Sequence, residues 1–484
     1  MSSEPDVLDS FEAGPAALRG GALRSGGYAL GLLLSLAAAP LLVRHLGQVG
    51  FGRYVAVISI ATVVTGFTEA GLNAIAVREY SSLQGAERDR VLANALGLRI
   101  ALSGLGVLIA TAFAALAGYS GELVLGTALT SFGLMLASVQ LMLGVALQGT
   151  LRFGLATLTD LVRQLVTVAL LVGLVLAGAD IVKFLAVPIV AGAVGVLLTA
   201  WFVRGMLPLR PSFSLAASLP MIRDTIPYAI AIALNAAYFR VAIVIMSLTA
   251  TGLQTGYFST SFRVIEVLIG VPALIIGAAF PILTRAVRDD KARFAAGAER
   301  LFELAVLAGT LVAVGVGLGA GFAVSLLGGE EAQPAADVLR IQGVAMIASF
   351  VAVACGFSLL SLRQNRALLI ANAVAFATSI VLTLALVPAF EAKGAAAAAV
   401  SAELALAVAL AVLLKRADAQ LRLPFSVVPV AALGAAAAVG VALLVGGPEV
   451  LRAVIGSVVF VGVVGALGRF PPEFRHALRR GRDH

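Results

Sequence analysis

The stretch "FGRYVAVISIATVVTGFTEAGLNAIAV", residues 51–77, carries two messages at once. It is apolar enough, and at about 1.5 Å per residue long enough, to cross the roughly 30 Å hydrocarbon core of a bilayer as one helix. Yet Ser59, Thr62, Gly66, Glu69 and Asn73 recur in it at steps of three and four, which places them on one helix face. A stripe of that kind cannot face lipid, because nothing there satisfies its polar groups. The stretch therefore predicts a membrane-spanning helix whose polar face meets a cavity or another helix.

The rest of the chain agrees. Of 484 residues, 60% are hydrophobic and only 12% charged, with a mean hydropathy of +1.03. Soluble domains carry about 25% charged residues, so the bilayer must be the solvent. We expect an all-α polytopic membrane protein with fourteen spans, near 25–46, 51–77, 93–117, 122–150, 157–178, 181–203, 224–248, 256–284, 299–327, 337–361, 366–388, 393–414, 424–446 and 449–468. Arg and Lys then orient it. The N-terminal tail, alternate loops and C-terminal tail hold 24 of them, the seven intervening loops hold six, and four lie inside spans. Positively charged loops stay in the cytoplasm, so both termini are expected there. A net charge of +8 and a pI near 10 would suit nucleic acid, but arginines flanking spans serve orientation, and no nucleic-acid partner is expected. The first 24 residues lack the charged-then-apolar order of a signal peptide, so the first span is expected to insert uncleaved. The lone Cys355 excludes an internal disulfide and a cysteine metal cluster. No cofactor, metal site or catalytic residue is expected.

The chain contains an internal repeat. "LQGTLRFGLATLTDLV" (147–162) is echoed at an offset of 212 by "LLSLRQNRALLIANAV" (359–374), with Asp160 matched to Asn372. "GFGRYVAVISI" (50–60) is echoed by "TGYFSTSFRVI" (255–265). Each half holds six spans and starts from the same side, so the repeats are parallel. The expected organisation is a cytoplasmic polar tail (1–24), an N-terminal six-helix lobe (25–204), a cytoplasmic interlobe linker (205–223), a C-terminal six-helix lobe (224–416), two extra spans (417–470) and a basic cytoplasmic tail (471–484).

Charges inside spans are the candidate functional groups. An arginine at mid-bilayer costs roughly 2.5–3.5 kcal/mol on insertion scales. The embedded cations are Arg99, Arg163, Arg240 and Arg263, and the embedded acids Glu69, Asp160, Glu266 and Glu403. Gln140 and Gln148 add polar groups on span 4. One reading is structural: Arg263–Glu266 and Asp160–Arg163 stand at i,i+3 and can pair within their own helices. Arg240, within "LNAAYFRVAIVIMSL" (234–248), has no acid within four residues, and Glu69 or Glu266 are its candidate partners on other helices. The other reading is a cationic interior for an anionic cargo, since guanidinium groups favour planar oxyanions such as phosphate. Pro40, Pro188 and Pro272 inside spans permit kinks. "GLGAG" (317–321) lacks the Lys–Ser/Thr of a phosphate-binding loop, and His45, His476 and His484 are scattered. The chain is therefore expected not to be an enzyme.

Two segments carry a family resemblance. "PLLVRHLGQVGFGRYVAVISIATVVTGFTEAGLNAIAVREYS" (40–81) and "YFRVAIVIMSLTATGLQTGYFSTSFRVIEVLIGVPALIIGAAFPILTRA" (238–286) resemble bacterial polysaccharide and O-antigen repeat-unit flippases of the multidrug/oligosaccharidyl-lipid/polysaccharide exporter superfamily. The resemblance implies two six-helix lobes around a central cavity, alternating access, and a polyprenyl-diphosphate-linked oligosaccharide as cargo. It also implies a place in the bacterial cytoplasmic membrane, with a polysaccharide polymerase and glycosyltransferases as partners. On that reading Arg99, Arg163, Arg240 and Arg263 draw in the diphosphate, while Glu69, Asn73, Gln140, Gln148, Asp160 and Glu266 line the sugar's path. Ala242 stands where many relatives place an Asp, so no coupling carboxylate carries over there. A peptidoglycan lipid-precursor flippase and a multidrug/cation antiporter of the same superfamily are the alternatives. A polysaccharide polymerase would need a sizeable outward loop.

Overall fold

A computed structural model describes the backbone of residues 13–469 except 70, 208–209, 278 and 419. It leaves the side chains of 13–22, 25, 28, 74, 215–229, 231–232, 274 and 281–282 undescribed. The first twelve residues of the expected N-terminal tail, residues 208–209 of the expected linker and the basic tail over 471–484 lie outside the described residues. The order of helices is α1 (Ala13–Glu69), α2 (Leu72–Ser82), α3 (Gly85–Leu116), α4 (Gly121–Leu143), α5 (Val145–Gly149), α6 (Phe153–Leu176), α7 (Ile181–Val203) and α8 (Leu215–Thr249), followed by α9 (Gly252–Gly277), α10 (Phe280–Asp289), α11 (Lys291–Gly328), α12 (Ala335–Ser361), α13 (Asn365–Ala417), α14 (Val427–Val445) and α15 (Glu449–Ala466).

Eleven helical segments are long and apolar enough to cross a membrane, and the apolar part of α8, Ala233–Thr249, is a shorter one. Two of the eleven are each two spans. At 57 residues, α1 would measure roughly 85 Å if unbroken, nearly three times the hydrocarbon core. It breaks at Gly47 (φ 66°, ψ 175°), a conformation open only to glycine. The 53 residues of α13 break at Glu391 (φ 49°, ψ −128°). With these divisions the fourteen spans are accounted for, and the protein is an all-helical, multi-pass membrane protein.

The continuous helix expected over 51–77 is corrected. It ends at Glu69, and Gly71 (φ 65°) turns the chain into the separate helix α2. Hydropathy runs through this point, but one glycine in the left-handed region redirects the backbone. The stripe from Ser59 to Asn73 is therefore divided between two helices. The span expected over 256–284 is broken likewise, with α9 ending at Gly277 and α10 opening with a proline in its first turn.

The expected repeat has a backbone counterpart. Leu151 (φ 56°) and Arg363 (φ 57°) are left-handed, non-glycine residues separated by the same offset of 212. Each is followed by a residue whose amide reaches back five positions, Arg152 to the Leu147 carbonyl (2.8 Å) and Gln364 to the Leu359 carbonyl (2.9 Å). One strained turn occurs twice.

The chain forms two compact units, Met1–Val244 and Ile245–His484, dividing inside α8. The stretch ahead of α8 is tied to the first unit: the Ser212 amide donates to the Ala93 carbonyl (3.0 Å) and the Ser214 amide to Asn94 Oδ1 (2.7 Å). Within the first unit α4 packs on α3 and α7, and α1 on α6. Glycines permit these approaches, as a Cβ at Gly133 would collide with Pro188 and one at Gly126 with Leu185. Small residues let membrane helices gain van der Waals contact, which must replace the hydrophobic effect in lipid. In the second unit α12 packs on α11 and α13, while α14 and α15 pack on each other and on α11.

Candidate functional site

The embedded polar residues gather into three groups. In the first, α1 ends at Glu69 and leaves its last carbonyls without helical partners. Arg99, on α3 and wholly buried, donates from Nη1 to the Glu69 carbonyl at 3.1 Å, while its Nη2 lies 3.9 Å from Glu69 Oε1. Ser138 on α4 donates to the same carboxylate oxygen at 3.2 Å. A cation at a helix C-terminus offsets the negative end of the macrodipole, so Arg99 closes α1 where Gly71 breaks it. Its Nη1 and Nη2 face Glu69, while Nε is buried without a partner. No acid stands within a turn of Arg99 on its own helix, and the partner lies 30 residues away.

The second group is built by α4, α6 and α7. Gln140, almost fully buried, donates from Nε2 to Asp160 Oδ1 at 3.2 Å. Gly195 on α7 makes room for both neighbours, since a Cβ there would collide with the Gln140 carboxamide and lie 3.3 Å from Arg163 Cδ. Two buried polar atoms here have no partner, Gln140 Oε1 and Arg163 Nε. Buried polar atoms are nearly always paired, and this chain leaves an acceptor and a donor open around one glycine.

In the second unit, Arg263 and Glu266 on α9 pair at 2.6 Å, each about a quarter exposed. This is the i,i+3 pair the spacing suggested. Glu403 on α13 is buried and accepts from Ser349 at 2.8 Å.

The remaining candidates stand on other elements. Arg240 is half-buried on α8, next to Tyr238 and Phe239, whose tilted rings have centroids 4.0 Å apart. Asn73 sits on α2 beyond the Gly71 break, its Oδ1 buried without a partner, and Gln148 sits on α5. Ser138 and Gly195 escaped the sequence reading, because a serine or glycine in a span is ordinary until its neighbours are known.

Comparisons with known proteins bear on this arrangement. Residues 17–287, more than half of the chain, match the family "Polysaccharide biosynthesis protein". No curated protein matches the chain. Among solved structures, the lipid II flippase MurJ in an inward closed conformation superposes with a TM-score of 0.76 at 14% identity, covering 92% of this chain and 99% of its own. An inward-facing multidrug resistance MATE family transporter of the MOP superfamily gives 0.57 at 14% identity, covering 80% and 95%. A MOP superfamily transporter from Pyrococcus furiosus gives 0.53 at 13% identity, covering 84% and 94%. At these identities the likenesses speak to the fold, which is that of MOP superfamily transporters. The chain belongs to the polysaccharide biosynthesis protein family.

Proposed function

We propose that this protein is a flippase that carries a polyprenyl-diphosphate-linked oligosaccharide across the bacterial cytoplasmic membrane by alternating access, for cell-surface or exported polysaccharide. What supports the reading most is the second polar group: within a family of polysaccharide biosynthesis, a transmembrane arginine and glutamine keep unpartnered buried atoms. Arg163 Nε can donate to a phosphate oxygen and Gln140 Oε1 can accept from a sugar hydroxyl. Arg240 and Arg263 are the further cations along the head group's path, with Glu266, Asp160, Asn73 and Gln148 meeting sugar. Both termini are cytoplasmic on this reading, and a polymerase and glycosyltransferases are the functional partners. Arg99, whose Nη1 holds the Glu69 main-chain carbonyl, serves first to close α1.

The likeness to MurJ favours one second reading, a peptidoglycan lipid-precursor flippase. Both cargoes present the same diphosphate, so the arginines serve either. The test is export in cells lacking the native gene, with membrane abundance measured in parallel. Arg163→Ala and Arg240→Ala are expected to lower export of lipid-linked repeat units at least tenfold at normal abundance, and Arg240→Lys to restore it in part, keeping the charge without the planar fork. Normal export by both well-expressed alanine variants sinks the assignment. Rescue of a strain lacking its lipid II flippase, without rescue of repeat-unit export, moves the assignment to the second reading.

A further inference from the structure

The duplicated turn differs between the two units in what lies against it. In the first unit, Gly149 precedes the turn and Tyr80 of α2 fills the space beside it, so closely that a Cβ on Gly149 would collide with the ring. Tyr80 is buried with Ile75, Leu96 and Leu147, and Arg88 covers its ring at 4.9 Å. At the offset of 212, Gly149 becomes Ser361. Among the described residues that line the space beside Ser361 in the second unit there is no aromatic ring. A cavity of about 790 Å³ opens there, lined by Thr284, Arg285, Arg288 and Asp289 of α10 and by Ser361 and Arg363 of the turn. Its volume falls within the roughly 300–1,000 Å³ of small-molecule sites.

We propose that this groove binds the diphosphate of a lipid-linked glycan at the membrane surface and so holds cargo before it enters the transport path. The proposal rests on the cargo reading above and adds a second, separate place for the head group. Orientation alone explains arginines in these loops, but it does not explain a cavity where the matching turn is filled by Tyr80. Charge narrows the ligand. Arg288 is engaged by Asp289 at 3.2 Å, while among the described residues no acid pairs with Arg285 or Arg363. The lining thus holds two uncompensated guanidinium groups. A diphosphate diester carries two negative charges and presents paired oxygens to such forks, whereas a glycerophospholipid phosphodiester carries one. The Ser361 and Thr284 hydroxyls, 3.4 Å apart, already bond their own helices' carbonyls at 2.9 Å, so the arginines make the contact.

The test uses the full-length protein in nanodiscs and equilibrium binding of a radiolabelled polyprenyl-diphosphate-linked N-acetylglucosamine. Arg285→Gln/Arg363→Gln is expected to weaken binding at least tenfold. Arg416→Gln/Arg422→Gln, which removes equal charge from the last turn of α13 and the loop after it, is expected to bind like the wild type. Both variants must elute as monodisperse protein with wild-type helix content. Wild-type affinity in the Arg285/Arg363 variant overturns the groove and leaves the cargo reading standing. Failure of the wild-type protein to bind the probe overturns that reading and this inference with it. Equal competition by phosphatidylglycerol makes the groove an ordinary phospholipid site and overturns the choice of diphosphate.

Discussion

Among the described residues, the arginine–glutamate pairs Arg263–Glu266 and Arg99–Glu69 are built differently. Arg263 and Glu266 are three residues apart on one helix and both partly exposed. Arg99 and Glu69 come from two helices, with a third contributing Ser138, and Arg99 has no exposure at all. The first pair forms as soon as its helix does. The second exists only once α1, α3 and α4 have packed, and it spans the point where α1 stops. A local pair neutralises charge for insertion, whereas a pair between helices also fixes tertiary structure.

The comparison breaks most readily at Glu69. Glu69→Ala keeps the main-chain carbonyl that Arg99 holds at 3.1 Å but removes the partly exposed carboxylate 3.9 Å from Nη2 and the acceptor of Ser138, and about 1–3 kcal/mol is expected. Membrane abundance and thermal stability should both fall, and near-normal levels of both would remove the distinction drawn here. Ser138→Ala tests the third helix. It removes one hydrogen bond to a carboxylate that is about one-third exposed, so water replaces part of it and about 1 kcal/mol is expected. A urea or detergent unfolding midpoint resolves a loss of that size. For Arg263→Ala, loss of the i,i+3 pair itself should cost about 0.5 kcal/mol, as for other such pairs on partly exposed helix faces. If it destabilises as much as Glu69→Ala, the α9 pair is holding other helices too.

Much of this architecture is legible in the sequence, for a physical reason. In lipid the spans must be helical and apolar over a fixed length, so hydropathy alone yields their number, and the echo of 147–162 in 359–374 marks a turn repeated in the backbone. The breaks after Glu69 and Gly277 were not legible. Each depends on one residue's dihedral angles or on a proline opening a short helix, and neither changes hydropathy. The site was half legible. Arg263–Glu266 follows from spacing, but which acid meets Arg99 is decided by how helices cross, and spacing along the chain is silent on that. Arg285, Arg288 and Arg363 entered the sequence reading only as orientation charges, because the groove that gathers them joins segments 75 residues apart.

Glu449, at the start of α15, accepts from the Phe322 amide at 2.6 Å and from Arg340 at 3.1 Å, and Arg340 also holds Asp337, which holds Lys393. The last helix described is thus wired into α11, α12 and α13. During synthesis, the first unit has every helix it needs by Val244. The second leaves Arg340 and the Gly321 face without their partner for more than a hundred residues, until α15 emerges. The second unit is thus completed by its last described helix, and until then Arg340 has only its local partner Asp337.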